Sequence, residues 1–139
     1  MMFFTGLSRF SFQIQKTTKT VLGKKTDQLL KMLDMVDLAE KILTDPEKPL
    51  DDFGLLLNET WRLKRSISSE ISTNLIDTLY RKATDAGALG GKLLGAGGGG
   101  CLLFYVNEEN QDAVRAALSD MLEIKFKFEN EGTRIICNN

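Results

Sequence analysis

Residues 90–106 read GGKLLGAGGGGCLLFYV, seven glycines in eleven positions set directly against an unbroken apolar run. Glycine has no side chain to bury, so such a run serves either as a turn or as a place where bare backbone approaches a neighbour. Four consecutive glycines are costly for a turn alone. Each loses roughly 0.5–1 kcal/mol of chain entropy relative to Ala, and a two-residue hairpin turn needs only one or two of them. The apolar CLLFYV that follows suits a central strand. The stretch therefore predicts a hairpin in which GKLLGAG leads in, the glycines turn and CLLFYV returns. The close neighbour is a phosphate or another chain segment, and the run alone does not separate the two.

Two common phosphate-binding mechanisms do not fit. A Walker-type loop needs Ser or Thr after Gly-Lys to reach magnesium, and Gly91-Lys92 is followed by Leu93. Gly95, Gly97 and Gly100 satisfy G-x-G-x-x-G, but a dinucleotide fingerprint must open a helix whose N-terminus meets the pyrophosphate. Here a strand follows.

The rest of the chain bounds the architecture. Its 139 residues, 42% of them apolar, suffice for one domain with a single core, taken as residues 1–139. MMFFTG reads as a buried strand stopped by Gly6, and a chain that opens inside its own core is expected to be part of something longer. Spacings of three and four among Leu29, Met32, Leu33, Val36, Ala39 and Leu43 predict a helix from about Lys16 to Leu43. A second helix is expected after Pro49, with Phe53, Leu56, Leu57, Trp61 and Lys64 on one face. A third is expected from about Thr73 to Ala86, with Ile71, Leu75, Leu79 and Ala83 stacked. Beyond the glycines, Asn107 is a candidate N-cap of a helix presenting Val114, Leu118 and Met121. EIKFKFE alternates Ile124, Phe126 and Phe128 with charged residues, and NEG turns into TRIIC, which predicts a half-buried strand or hairpin at the end. Strand, helices, strand, strand, helix, strand is the order of an α+β, ferredoxin-like split βαβ sandwich: an antiparallel sheet with helices on one face.

Charge and composition exclude several functions. Lys plus Arg number 18 and Asp plus Glu 19, so no basic excess recruits nucleic acid or an anionic membrane. MMFFTGLSRF is too short for a secretory apolar region, and no run approaches the ~20 residues of a membrane span, so a cytoplasmic protein is expected. The chain has no histidine, which removes His-based triads, His metal sites and imidazole acid–base chemistry. Cys101 and Cys137 each sit in apolar, strand-like sequence, as ordinary buried thiols do.

The glycine stretch resembles the C-terminal glycine motif of the GHMP kinases, most closely the branch acting on D-glycero-D-manno-heptose phosphates. FFTGLSRFS near the start, with Thr5, Gly6 and Arg9 in order, is similar to the strand and turn that open the second half of that branch; Trp61 followed by LK, and SSEIS, add to the likeness. It covers nearly the whole chain but only the second half of a family member. The resemblance implies that the Pro-x-x-x-Gly-Leu-Gly-Ser-Ser-type phosphate loop and the catalytic Asp belong to an N-terminal ATP-binding domain, absent from these residues. ATP and Mg2+ then serve the complete enzyme, with none held tightly by this half. Gly95, Gly97, Gly98, Gly99 and Gly100 would close against the phosphate loop and a sugar phosphate, with Lys92, Thr5 and Arg9 contributing. Half of such a clamp is expected to be nearly inactive alone.

Plainer roles stand beside these. Lys92 either faces a phosphate or is a solvated edge residue, and Arg9 either contacts a sugar phosphate or pairs with a helix acid. Trp61 reads as core packing ahead of substrate stacking. Asp51-Asp52 and Glu108-Glu109 lie at helix starts, where acids suit the dipole better than a metal. A second reading is a free-standing module that binds a small ligand or forms a homodimer over exposed apolar surface.

Overall fold

The computed structural model describes residues 1–7, 21, 23–133 and 135. In order they form β1 (Met2–Phe4), α1 (Thr26–Thr44), α2 (Asp51–Ile67), α3 (Asn74–Asp85), β2 (Gly90–Leu93), β3 (Cys101–Tyr105), a 3-10 turn (Glu108–Asn110), α4 (Gln111–Ala117) and β4 (Leu122–Glu123). The strands make one antiparallel sheet in the order β2-β3-β1-β4. β1 and β2 are both antiparallel to β3, so they run parallel to each other with β3 between them. This is the split βαβ arrangement expected of an α+β chain in this order.

One sheet face carries the core. Phe3, Leu93, Leu102 and Phe104 are buried against Ile76, Leu79, Tyr80 and Ala83 of α3 and Val114 of α4. Thr73 starts α3 by accepting a hydrogen bond from the Ile76 N–H at 3.3 Å, an N-cap that sets the phase of the helix. With that phase Ile76 faces inward and Leu75 is exposed, which corrects the expected stack. Trp61 of α2 is 1% exposed, its ring 6.2 Å from that of Tyr80. It is a core residue, and its indole N–H has no partner among the described residues.

β2 is an edge strand, and its edge is closed by close approach. Gly54 of α2 lies against Tyr105, where a Cβ would come within 2.7 Å of the ring, and a Cβ on Gly90 would overlap the Gly54 carbonyl. Glycines at both positions let helix and strand backbones meet. The outward backbone groups of Gly91 meet the Tyr80 hydroxyl, which accepts from the Gly91 N–H at 3.0 Å and donates to Asn58 Oδ1 at 2.8 Å.

Three expectations are corrected. Residues 8–20, where the first helix was expected to begin, lie outside the described residues. From Thr26 on, α1 turns Ile42 inward with Met32, Met35 and Ala39 half-buried, while Leu33 and Val36 are 62% and 60% exposed. Only one flank of the apolar stripe meets α2, and periodicity does not say which flank the neighbour takes. The alternating tail pairs for two residues only. β1 offers Phe3 to Glu123, Phe4 to Leu122 and the Met2 carbonyl to the Ile124 N–H, and then ends, which leaves Phe128 94% exposed. Asn107 precedes the 3-10 turn without capping it; its amide donates to Asp51 Oδ2 at 3.2 Å. Most of TRIIC, including Cys137, lies outside the described residues, and Cys101 is a free, half-buried thiol. Among the described residues no helix is long and apolar enough to cross a membrane.

The Tyr80 contacts give a pH signature. Burial pushes the phenol up to about 12, whereas an unfolded tyrosine ionises near its usual value of about 10. Its contribution is therefore full below about pH 10 and is lost as pH rises toward 12, where the unfolded state releases a proton the folded state keeps. Tyr80→Phe, which strips the Gly91 N–H of its acceptor, should cost roughly 1–3 kcal/mol at neutral pH and flatten that alkaline loss. Urea unfolding at pH 8 and above pH 10 measures both, and equal stability of the two proteins at pH 8 contradicts the assignment.

Candidate functional site

The expected hairpin is present: β2 and β3 pair from Gly90 with Tyr105 to Leu93 with Leu102, and residues 94–100 form its loop. Gly95, Gly97, Gly98 and Gly100 all have positive φ, between 72° and 117°, a region that L side chains rarely adopt. The loop is fastened to two other parts of the chain. Gly100 donates its N–H to the Leu7 carbonyl at 2.9 Å, and its own carbonyl accepts from the Thr5 N–H at 2.9 Å and the Thr5 hydroxyl at 2.8 Å. Gly98 donates to the Ile71 carbonyl at 2.9 Å, in the connection between α2 and α3. A Cβ on Gly97 would stand 2.8 Å from Ile71 Cα, and one on Gly99 2.6 Å from the Leu7 carbonyl.

Much of the crowding is thus chain against chain. The N–H groups of Ala96 and Gly99 nevertheless have no hydrogen-bond partner among the described residues, while that of Gly97 closes the turn over Gly95 and Ala96. Backbone amides left unpaired in a loop held from two sides suit an anionic oxygen.

The predicted site residues fall around this loop. Gly95, Gly97, Gly98, Gly99 and Gly100 are the loop itself. Thr5 is 3% exposed beneath it, its hydroxyl donating to Gly100 and accepting from the Leu7 N–H at 3.3 Å. Lys92 is half-buried on β2, two residues before the loop. Arg9 lies outside the described residues.

Lys64 is the residue that sequence reasoning missed. From α2 its Nζ donates to the Gly95 carbonyl at 2.8 Å. Burial, and next the positive charge of Lys92, push its ammonium below the usual lysine value. The signal was a cation on a helix face otherwise made of Phe53, Leu57 and Trp61. Where α2 gives way to α3 an open cavity of about 470 Å³ is lined by Arg62, Arg65, Ser68, Ser72, Thr73 and Asp77 among others. Arg65 there pairs with Asp77 at 2.8 Å. Among the described residues no group of His, Cys, Asp and Glu is arranged to hold a metal ion.

The glycines should differ sharply on substitution. Gly95 has φ of 78° with open space around it, so Gly95→Ala should lose only the left-handed penalty of about 1–2 kcal/mol. Gly97→Ala adds overlap with the Ile71 backbone and should cost roughly 2–5 kcal/mol. Thermal unfolding of the two variants checks the order, and a Gly97→Ala protein as stable as Gly95→Ala would overturn the account of the loop.

Comparison with known proteins agrees with this geometry. The family model described as GHMP kinases C terminal matches residues 35–124. D-glycero-alpha-D-manno-heptose 7-phosphate kinase of Campylobacter jejuni is 28% identical over 142 aligned positions, covering 96% of this chain and 40% of that protein. Galactokinase of Enterococcus faecalis is 35% identical over 92 residues, covering 66% of this chain and 23% of that protein. The crystal structure of Methanococcus jannaschii mevalonate kinase superposes with a TM-score of 0.72 at 26% identity, covering 86% of this chain and 35% of that one. The chain therefore spans less than half the length of these relatives. On its sequence, its fold and its glycine loop, the chain belongs to the GHMP kinase family, of which it carries the C-terminal domain.

Proposed function

We propose that this chain is the substrate-side half of an ATP-dependent sugar kinase of the heptose phosphate type, and that it is nearly inactive alone. The observation that carries the reading is the fastened glycine loop, whose Ala96 and Gly99 amides have no partner among the described residues. Donors held in place before an anion arrives need no reordering when charge develops on a phosphoryl group. The heptose relative is matched along nearly the full chain, which supports a sugar phosphate as substrate.

In this reading Gly95 to Gly100 face the phosphates from the C-terminal side, with Lys92 beside them. Thr5 acts from beneath by holding Gly100, and Arg9 reaches the sugar phosphate. An N-terminal domain supplies the phosphate loop, the catalytic Asp and the binding of ATP and Mg2+. Positioning both substrates accounts for most of phosphoryl-transfer catalysis, so one half of the clamp should run at least about 10³-fold below the assembled enzyme.

A second reading has one observation in its favour. Leu29, Leu33, Val36 and Leu43 of α1 are exposed, and an apolar strip of this kind suits a module that associates with itself. In that case the chain works as a ligand-binding or dimerising unit.

A kinase assay with ATP, Mg2+ and the heptose 7-phosphate decides between them. The chain alone should stay at background, and adding the separately expressed N-terminal segment of the heptose kinase relative should raise turnover at least about 100-fold. Strong turnover by the chain alone contradicts the split assignment. No rescue, together with a concentration-dependent dimer in sedimentation, favours the self-associating module.

A further inference from the structure

The cavity of about 470 Å³ where α2 gives way to α3 has a wall made of polar residues, and none of the glycine loop lines it. Arg62 and Arg65 come from the end of α2, Ser69 and Ser72 from the connection, and Asn74 from the first turn of α3. Two arginines stand against one aspartate, Asp77, so the wall carries a net positive charge. Asp77 is already engaged: its oxygens accept from Arg65 at 2.8 Å and from the Ser72 hydroxyl at 2.5 Å. Arg62 is not. Its contact with Glu59 is 3.5 Å long, between exposed side chains, a pair worth at most about 1 kcal/mol, and it leaves most of the guanidinium donors open. Among the described residues the Ser69 hydroxyl and the Asn74 side chain have no hydrogen-bond partner. The N–H groups that open α3 add to these donors: Thr73 takes that of Ile76, and those before it have no carbonyl of their own helix to reach.

We propose that this cavity binds the phosphate of a phosphorylated small molecule. The tetrahedral oxygens of a phosphate accept at once from Arg62, from the Ser69 hydroxyl and from the start of α3, donors that belong to different segments. A planar carboxylate, with fewer oxygens, leaves part of that set unused. The positive end of the α3 dipole and the net charge of the wall act in the same direction. The connection carries the consequence to the glycine loop. Ile71 stands between Ser69 and Ser72 in the chain, its carbonyl accepts the Gly98 N–H at 2.9 Å, and Gly97 packs on its backbone. An anion held by Ser69 and Asn74 therefore steadies the segment on which that loop rests. The site stands whether or not the chain is half of a sugar kinase.

The test is an amide NMR titration of the full 139-residue chain with inorganic phosphate, glucose 6-phosphate, AMP and glucose, without Mg2+. Saturable phosphate binding is expected, with shifts at Ser69, Thr73 and Asn74 and smaller ones at Gly97 and Gly98. Arg62→Gln should weaken it about tenfold and Arg62→Lys about threefold. Arg62 is exposed, so thermal unfolding of Arg62→Gln should match wild type, and the weakening reports the site rather than the fold. Tighter binding of glucose 6-phosphate than of AMP supports the site with a sugar phosphate as its ligand, and the reverse order supports it with a nucleotide. Absence of saturable phosphate binding, or glucose binding as well as glucose 6-phosphate does, overturns the proposal. So does phosphate binding kept by Arg62→Gln and lost in Lys92→Met, which moves the anion to the glycine loop. Failure of the kinase-half reading shows in the rescue assay, and failure of this site shows in the titration of the chain alone.

Discussion

Gly100 is the residue on which the arrangement depends. Its N–H goes to Leu7, and its carbonyl takes both the N–H and the hydroxyl of Thr5. Those three bonds join the exit of β1 to the entry of β3, two strands almost a hundred residues apart in sequence. They also turn what would be a free hairpin loop into an extension of the sheet. A loop held at Gly98 by Ile71 as well has little room to move. The amides of Gly98 and Gly100 are spent inward, and among the described residues that of Gly99, between them, is left over. Donors fixed in this way have already met their ordering cost before any ligand arrives.

The second constraint is a match of lengths. α2 lies along β2, with Gly54 seated against Gly90 and Lys64 reaching Gly95. The ten residues from Gly54 to Lys64 advance about 15 Å along a helix, and the five from Gly90 to Gly95 advance about 17 Å along an extended chain. Helix and strand therefore keep step, so glycine contact at one end brings a lysine to the loop at the other. Asn58, between them, accepts from Tyr80, whose hydroxyl also takes the Gly91 N–H. The edge is thereby closed to further strands, and the helix that closes it is the one that carries the cation.

Much of this was legible in the residues. The glycine run facing CLLFYV gave the hairpin, and the order of elements gave the split βαβ sheet, because both depend on local chemistry and period. What stayed hidden depends on where a neighbour stops. The alternation of Ile124, Phe126 and Phe128 is that of a strand, but β1 is three residues long and offers it no further partner. The apolar stripe of α1 is equally plain, yet only its Met32, Met35 and Ile42 side turns toward the body of the domain. Lys64 was visible as a cation among apolar positions. Its target, a carbonyl 31 residues further on, is set by the pairing of α2 with β2, which no single stretch of sequence encodes.

The local charge at the loop gains its meaning from the rest of the chain. With 18 basic and 19 acidic residues the chain is near neutral, and among the described residues the ion pairs are made by Arg62, Arg65 and Arg115 and by no lysine. A half-buried ammonium left without an acid is a stability cost in the free chain. Lys64 offsets part of it by donating to the Gly95 carbonyl. The glycines answer first to packing: Gly97 and Gly99 lie against the Ile71 and Leu7 backbones, and Gly95, Gly97, Gly98 and Gly100 have positive φ. Among the described residues, backbone and side chains at this one end of the sheet both present donors without a partner. The sheet order, the seat of α2 on β2 and the Gly100 bonds all serve to keep those donors together.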